Sequence, residues 1–132
     1  MQTDSEELMR QGIAAGVQTF DRFLAAAGWE PDDIDCSFCH QVGAAHRKLM
    51  LESLGLKPQN DFATLETLGN TGSAALPITM ALGVEQGRLR ANDRVAMLGI
   101  GSGINCLMLA VEWQKSPTVK PVAEFARIRS VT

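Results

Sequence analysis

The chain has 132 residues, of which 45% are hydrophobic and 20% charged, and a formal net charge of −3 at pH 7. That length bounds one domain with one core, and an excess of 15 Asp and Glu over 12 Lys and Arg, with no long basic run, removes the electrostatic footprint of a nucleic-acid binder. No stretch reaches the roughly 18 apolar residues of a membrane span, and Met1 to Gly16 is polar and acidic where a secretory leader is basic and then apolar, so the cytoplasm is the expected compartment.

In chain order, "TDSEELMRQGIAAGVQTFDRFLAAAGW" opens with Thr3, Asp4 and Ser5 as candidate caps and sets Glu6 and Glu7 where the positive end of a helix favours them. Leu8, Met9, Ile13, Val17, Phe20, Phe23 and Leu24 recur at spacings of three and four, which predicts a long helix with one buried face, stopped at Gly28. "EPDDID" is a polar turn, and Ile34 to His40 a short strand whose last residues sit at the carboxyl edge of a sheet. "GAAHRKLMLESLGL" predicts a second helix, closed by Gly55 and followed by Pro58. Residues 58–69 connect to the tight turn Gly69-Asn70-Thr71-Gly72, and a third helix should start around Thr71 or Gly72, where Pro77 requires either a late start or a bend. Val95 to Ile100 and Ile104 to Trp113 read as apolar strands joined by "GIGSG". So short a link requires antiparallel pairing, and the lack of polar alternation predicts that both faces are covered by helices. Residues 114–132, with two prolines and weak periodicity, read as a loosely attached tail.

Three places could carry chemistry. His40 ends a strand, Asn70 sits in a glycine-rich turn before a helix, and "GIGSG" offers backbone N–H groups in a loop that permits close approach. Each has a plainer reading: a strand-end histidine satisfied by backbone partners, an asparagine whose side chain mimics a backbone turn, and a loop without the G-x-G-x-x-G spacing that leads into a strand. Together, at neighbouring carboxyl ends of one sheet, they form a set of donors suited to an enolate oxygen and to the oxyanion of a tetrahedral intermediate. Such a set fits carbon–carbon bond formation between thioesters. Cys36 and Cys39 form C-x-x-C, but strand residues three apart face opposite ways and no second ligand pair exists, so Cys36, Cys39 and Cys106 read as reduced structural thiols and no metal is expected. Glu66 reads as a solvated charge and His46 as an exposed helix residue. With Arg47 and Lys48, His46 could alternatively face a coenzyme A phosphate or a carrier protein.

At these residues a family resemblance becomes specific. "CHQVGAAHRKLMLESLGL" resembles the His-Gln motif of the ketoacyl-acyl carrier protein synthase III family of the thiolase superfamily, "LGNTGSAALPITMAL" its Gly-Asn-Thr segment, and "NDRVAMLGIGSGINCLMLAVEW" its closing strand pair. The order of the motifs and the thirty-residue separation of His40 and Asn70 extend the likeness over roughly residues 5–113. The resemblance implies an α/β, thiolase-like half-domain with a mixed sheet flanked by helices, residues 1–132 forming the C-terminal domain of such an enzyme. It implies an acyltransferase of lipid metabolism, with His40 and Asn70 as catalytic residues and Gly101, Ser102 and Gly103 at the oxyanion hole. Arg47 and Lys48 are then substrate-binding candidates. Acyl-CoA or acyl carrier protein thioesters are implied as substrates, with no separate cofactor. "HQVGAAHR" departs from the His-Gln-Ala-Asn form of the initiating synthase and looks more like the branch that condenses two long acyl-CoA molecules head to head in olefin biosynthesis.

The family's nucleophile is a cysteine in the amino-terminal half of a chain more than twice this length, and Cys36, Cys39 and Cys106 do not sit in that motif. The resemblance therefore implies that this chain works with an N-terminal half or companion chain that carries the nucleophilic cysteine, is inactive alone, and associates as a dimer or other oligomer because its sheet edge and apolar helix faces need cover.

Overall fold

The computed structural model describes residues 2–40, 43–69, 72–101 and 104–117. Helix α1 spans Gln2–Ala27. Gly12, Gly16, Phe20 and Phe23 form its buried stripe, with Ile13, Val17 and Leu24 beside it, as the three-and-four spacing predicts. Leu8 and Met9 depart from that expectation, being 62% and 36% exposed. At 1.5 Å per residue, α1 is about 39 Å long, whereas the longest strands, of eight residues, reach about 26 Å. The first turns therefore overshoot the sheet. Gly28, at φ +70°, stops the helix as read.

Strand β1, Cys36–Cys39, is shorter than the predicted Ile34–His40. Helix α2 is Ala44–Leu54. Gly55 at φ +70° donates to the Glu52 carbonyl and Leu56 N–H to the Leu51 carbonyl, a glycine stop that satisfies the last carbonyls. A four-residue helix α3, Leu65–Leu68, precedes helix α4, Ala75–Glu85, whose late start behind a 3-10 turn at Gly72–Ala74 puts Pro77 in the first turn, where its missing N–H costs nothing. Strands β2 and β3, Arg94–Gly101 and Asn105–Glu112, close the described fold. Residues 113–117 carry no regular structure, and the rest of the expected tail lies outside the described residues.

The sheet order is β1-β2-β3. β1 pairs parallel to β2 with Cys36 opposite Val95 and Cys39 opposite Leu98, and β2 pairs antiparallel to β3 from Arg94 opposite Glu112 to Gly101 opposite Asn105. This is the mixed sheet expected. On one face, Phe20, Phe23, Cys39, Met50, Leu51 and Leu98 pack between the sheet and α1 and α2. On the other, Cys36, Phe38 and Val95 pack with Leu76, Met80 and Val84 of α4. Cys36 and Cys39 thus face opposite ways. α4 comes so close to β1 that a Cβ at Gly83 would lie 2.7 Å from Phe38 Cε1.

The expectation that both faces of both strands are covered holds for β2, where Val95, Ala96 and Leu98 are buried, and fails for β3. Leu107 and Leu109 are 69% and 47% exposed although they share a face with Val111, which joins the α4 cluster. β3 is an edge strand of the described sheet, and α4 lies nearest β1, leaving these leucines uncovered.

Candidate active site

Parallel pairing brings the carboxyl ends of β1 and β2 to the same sheet edge. His40 is the first residue past β1, and its N–H donates to the Leu98 carbonyl at 2.9 Å, so the ladder fixes its backbone. Gly101 ends β2 at that edge. α4 begins there too: a Cβ at Gly99 would lie 3.7 Å from Leu76 Cδ2 in the first turn of α4. Asn70, Ser102 and Gly103 lie outside the described residues. Their described neighbours are Gly69, which ends α3 at φ +66°, and Gly72, which opens the turn into α4.

Burial lowers the pKa of His40 below its ordinary 6.5, which keeps the imidazole neutral at pH 7. A neutral ring can donate one hydrogen bond to a developing oxyanion without bringing a full charge. His46, read as exposed, is half-buried on α2. Its pKa is lowered by burial and further by the charge of His40, so the two imidazoles are electrostatic neighbours. Its Nδ1 is buried with no hydrogen-bond partner among the described residues.

Of the two cations singled out, Lys48 is exposed, while Arg47 is engaged. Arg47 Nε donates to Asp61 Oδ2 at 2.9 Å, and Nη2 to the Asp61 carbonyl at 3.3 Å. Ser37 Oγ donates to Asp61 Oδ1 at 2.7 Å. Burial pushes the Asp61 carboxyl up, and the hydrogen bonds from Ser37, Cys39 and Arg47 pull it back. Cys39 lies well above its ordinary thiol value through burial and the neighbouring Asp61, which makes it a poor nucleophile. A cavity of about 450 Å³ opens beside Arg47, lined also by Gln59, Phe62, Leu65, Glu66 and Arg88. Glu66 itself is exposed on α3. The Asp61 cluster was not foreseen from the sequence. Asn60-Asp61 reads as turn chemistry, and the one available signal was the apolar "FATL" that follows it.

Residues 24–113 match the C-terminal domain of 3-oxoacyl-[acyl-carrier-protein (ACP)] synthase III. The chain belongs to this family. Among curated relatives of the synthase III family, an acyl-CoA:acyl-CoA alkyltransferase of Shewanella oneidensis is 43% identical over 113 residues, 86% of this chain and 32% of the relative. A beta-ketoacyl-[acyl-carrier-protein] synthase III of Gloeobacter violaceus is 29% identical over 110 residues, 83% of this chain and 33% of that protein. The structure of a Xanthomonas campestris OleA variant with bound lauric acid and lauroyl-CoA superposes with a TM-score of 0.80 at 36% identity, over 83% of this chain and 33% of that one. The fold is thus thiolase-like, and the chain spans about a third of the length of the relatives it matches. Among the described residues no helix is long and apolar enough to cross a membrane, and no group of three His, Cys, Asp or Glu could hold a metal ion.

Proposed function

We propose that this chain supplies the C-terminal part of a cytoplasmic acyltransferase that joins two acyl-CoA molecules by Claisen condensation, His40 and Asn70 being its catalytic residues. The observation that carries the reading is the 43% identity over 113 residues to an acyl-CoA:acyl-CoA alkyltransferase, against 29–32% over 110–112 residues to curated synthase III relatives. A cysteine thiolate from a companion polypeptide attacks the first thioester carbonyl and expels CoA. A base then takes the α proton of the second acyl-CoA, and the resulting carbanion attacks the acyl-cysteine carbonyl. The carbon–carbon bond forms, the cysteine thiolate leaves, and a 2-alkyl-3-oxoacyl-CoA results. His40 and Asn70 hold the enolate oxygen, and N–H groups of Gly101, Ser102 and Gly103 the tetrahedral oxyanion. Neither carboxylate of the connecting segment 58–69 suits the base, since Asp61 is buried against Arg47 and Glu66 is exposed on α3, and we assign that group to the companion.

The apolar outer side of α4 and the bare leucines of β3 support a companion that covers them, and the working assembly is oligomeric. Of Arg47 and Lys48, Lys48 is the one left for the CoA phosphates, with Arg47 held to a secondary role by its ion pair with Asp61.

The test is reconstitution with a cysteine-bearing amino-terminal polypeptide of the family, following CoA release and product mass from lauroyl-CoA alone and from acetyl-CoA with malonyl-ACP. Coupling of two lauroyl groups is expected, with His40→Ala reducing it by about a hundredfold or more while the fold persists. Use of malonyl-ACP alone would reassign the chain to the decarboxylating branch. Unchanged coupling in His40→Ala would make it a non-catalytic subunit.

A further inference from the structure

Asp61 ties the stretch that carries His40 to the connecting segment that runs to Gly69. Its Oδ1 accepts from Ser37, three residues before His40, at 2.7 Å, and its Oδ2 accepts from Arg47, seven residues after it, at 2.9 Å. The backbone repeats the connection, as Phe62 N–H donates to the Ser37 carbonyl at 2.9 Å. From Asp61 the chain runs through buried Thr64, whose hydroxyl lies 2.7 Å from that of Thr79 on α4, to Gly69, the neighbour of Asn70. The Asp61 side chain is 1% exposed. A carboxylate so placed gains from its partners only if they keep their geometry, so it resists displacement of any of them.

We propose that Asp61, clamped between Ser37 and Arg47, is a positioning residue that fixes the His40 segment against the connecting segment 61–69. Its role rests on the function proposed above, but its effect on His40 can be read without any turnover.

The chain contains two histidines, so the imidazole Cε1–H signals resolve His40 from His46 once His46→Asn identifies them. Burial lowers His40. The sign of a shift in Asp61→Asn is therefore informative. Loss of a nearby negative charge could only leave the His40 midpoint in place or move it down, whereas loss of position admits water and moves it up toward 6.5. A rise of about half a pH unit in the folded Asp61→Asn chain is expected. A smaller rise is expected in Ser37→Ala, which keeps the ion pair and decides the question if Asp61→Asn does not fold.

In the reconstituted enzyme the same variants should lose about tenfold in kcat at unchanged KM. A folded variant with an unmoved or lowered His40 midpoint overturns the positioning role. Absence of condensation in every assembly, with the His40 shift present, overturns the function and leaves the positioning intact.

Discussion

The two faces of the sheet are closed in different ways. α1 lays a stripe of Gly12, Gly16, Phe20 and Phe23 on its neighbours and turns Glu7, Arg10, Gln11, Asp21 and Arg22 to water. Gly16 allows the close crossing with α2, where a Cβ would lie 3.3 Å from Met50 Sδ. α4 buries Ala75, Thr79 and Gly83 against β1 and carries no charge from Ala75 to Val84, yet Pro77, Ile78 and Ala81 point outward. A helix polar on its far side is finished by solvent. A helix apolar all round is finished by another layer of protein.

Truncation of the shared centre should have the largest effect. Phe38, fully buried on the α4 face, should cost about 3–5 kcal/mol as Phe38→Ala, and Leu51 on the α1 face about 2–5 kcal/mol as Leu51→Ala, by denaturant unfolding. Coincident transitions by different probes in both variants would mean that both clusters belong to one cooperative unit. A probe-dependent transition in either variant would mean that the α4 face opens separately.

A pH change should act more weakly, and on the carboxyl edge. His40 and His46 both titrate below 6.5 in the folded chain, so between their folded and unfolded values the unfolded chain binds more protons. Stability should therefore fall as pH drops below 6.5, and a His40→Asn/His46→Asn chain should lose that part of the slope in thermal melts across the same range. Asp61, raised from 3.8, acts with the opposite sign at lower pH, where stability falls as the carboxyl ionises.

The smallest effect on folding should come from Ile78→Glu. That residue is 37% exposed, and its change should alter the stability of the isolated chain by about 0.5 kcal/mol or less. If α4 is an internal layer of the assembled enzyme, the same substitution should abolish association with the companion polypeptide in native mass spectrometry. Retained association would show that the outer side of α4 faces solvent.

What could be read from the sequence was local. The α1 stripe, the Gly55 stop, the tolerated Pro77 and the β2–β3 hairpin depend on residues a few positions apart. The opposite faces of Cys36 and Cys39 followed from strand periodicity alone. The failures were long-range. Nothing near Asp61 announces that Ser37 and Arg47 will enclose it, nothing in α2 tells that His46 will be half-buried, and an apolar β3 does not say that Leu107 and Leu109 will stay bare. Of the proposed site, His40 and Gly101 reach the expected edge, and Asn70, Ser102 and Gly103 lie outside the described residues.

The pairing of β1 with β2 also has an entropic consequence. Cys36 meets Val95 across 59 positions of chain, while Gly101 meets Asn105 across four. By the logarithmic cost of loop closure, joining β1 takes about 2 kcal/mol more than closing the hairpin. Only four residues of β1 are there to offset it, and Cys36, Ser37, Phe38 and Cys39 are all buried. The strand that delivers His40 is thus the shortest in the sheet and the most expensive to bring home, and it stays because it has no side chain left in water.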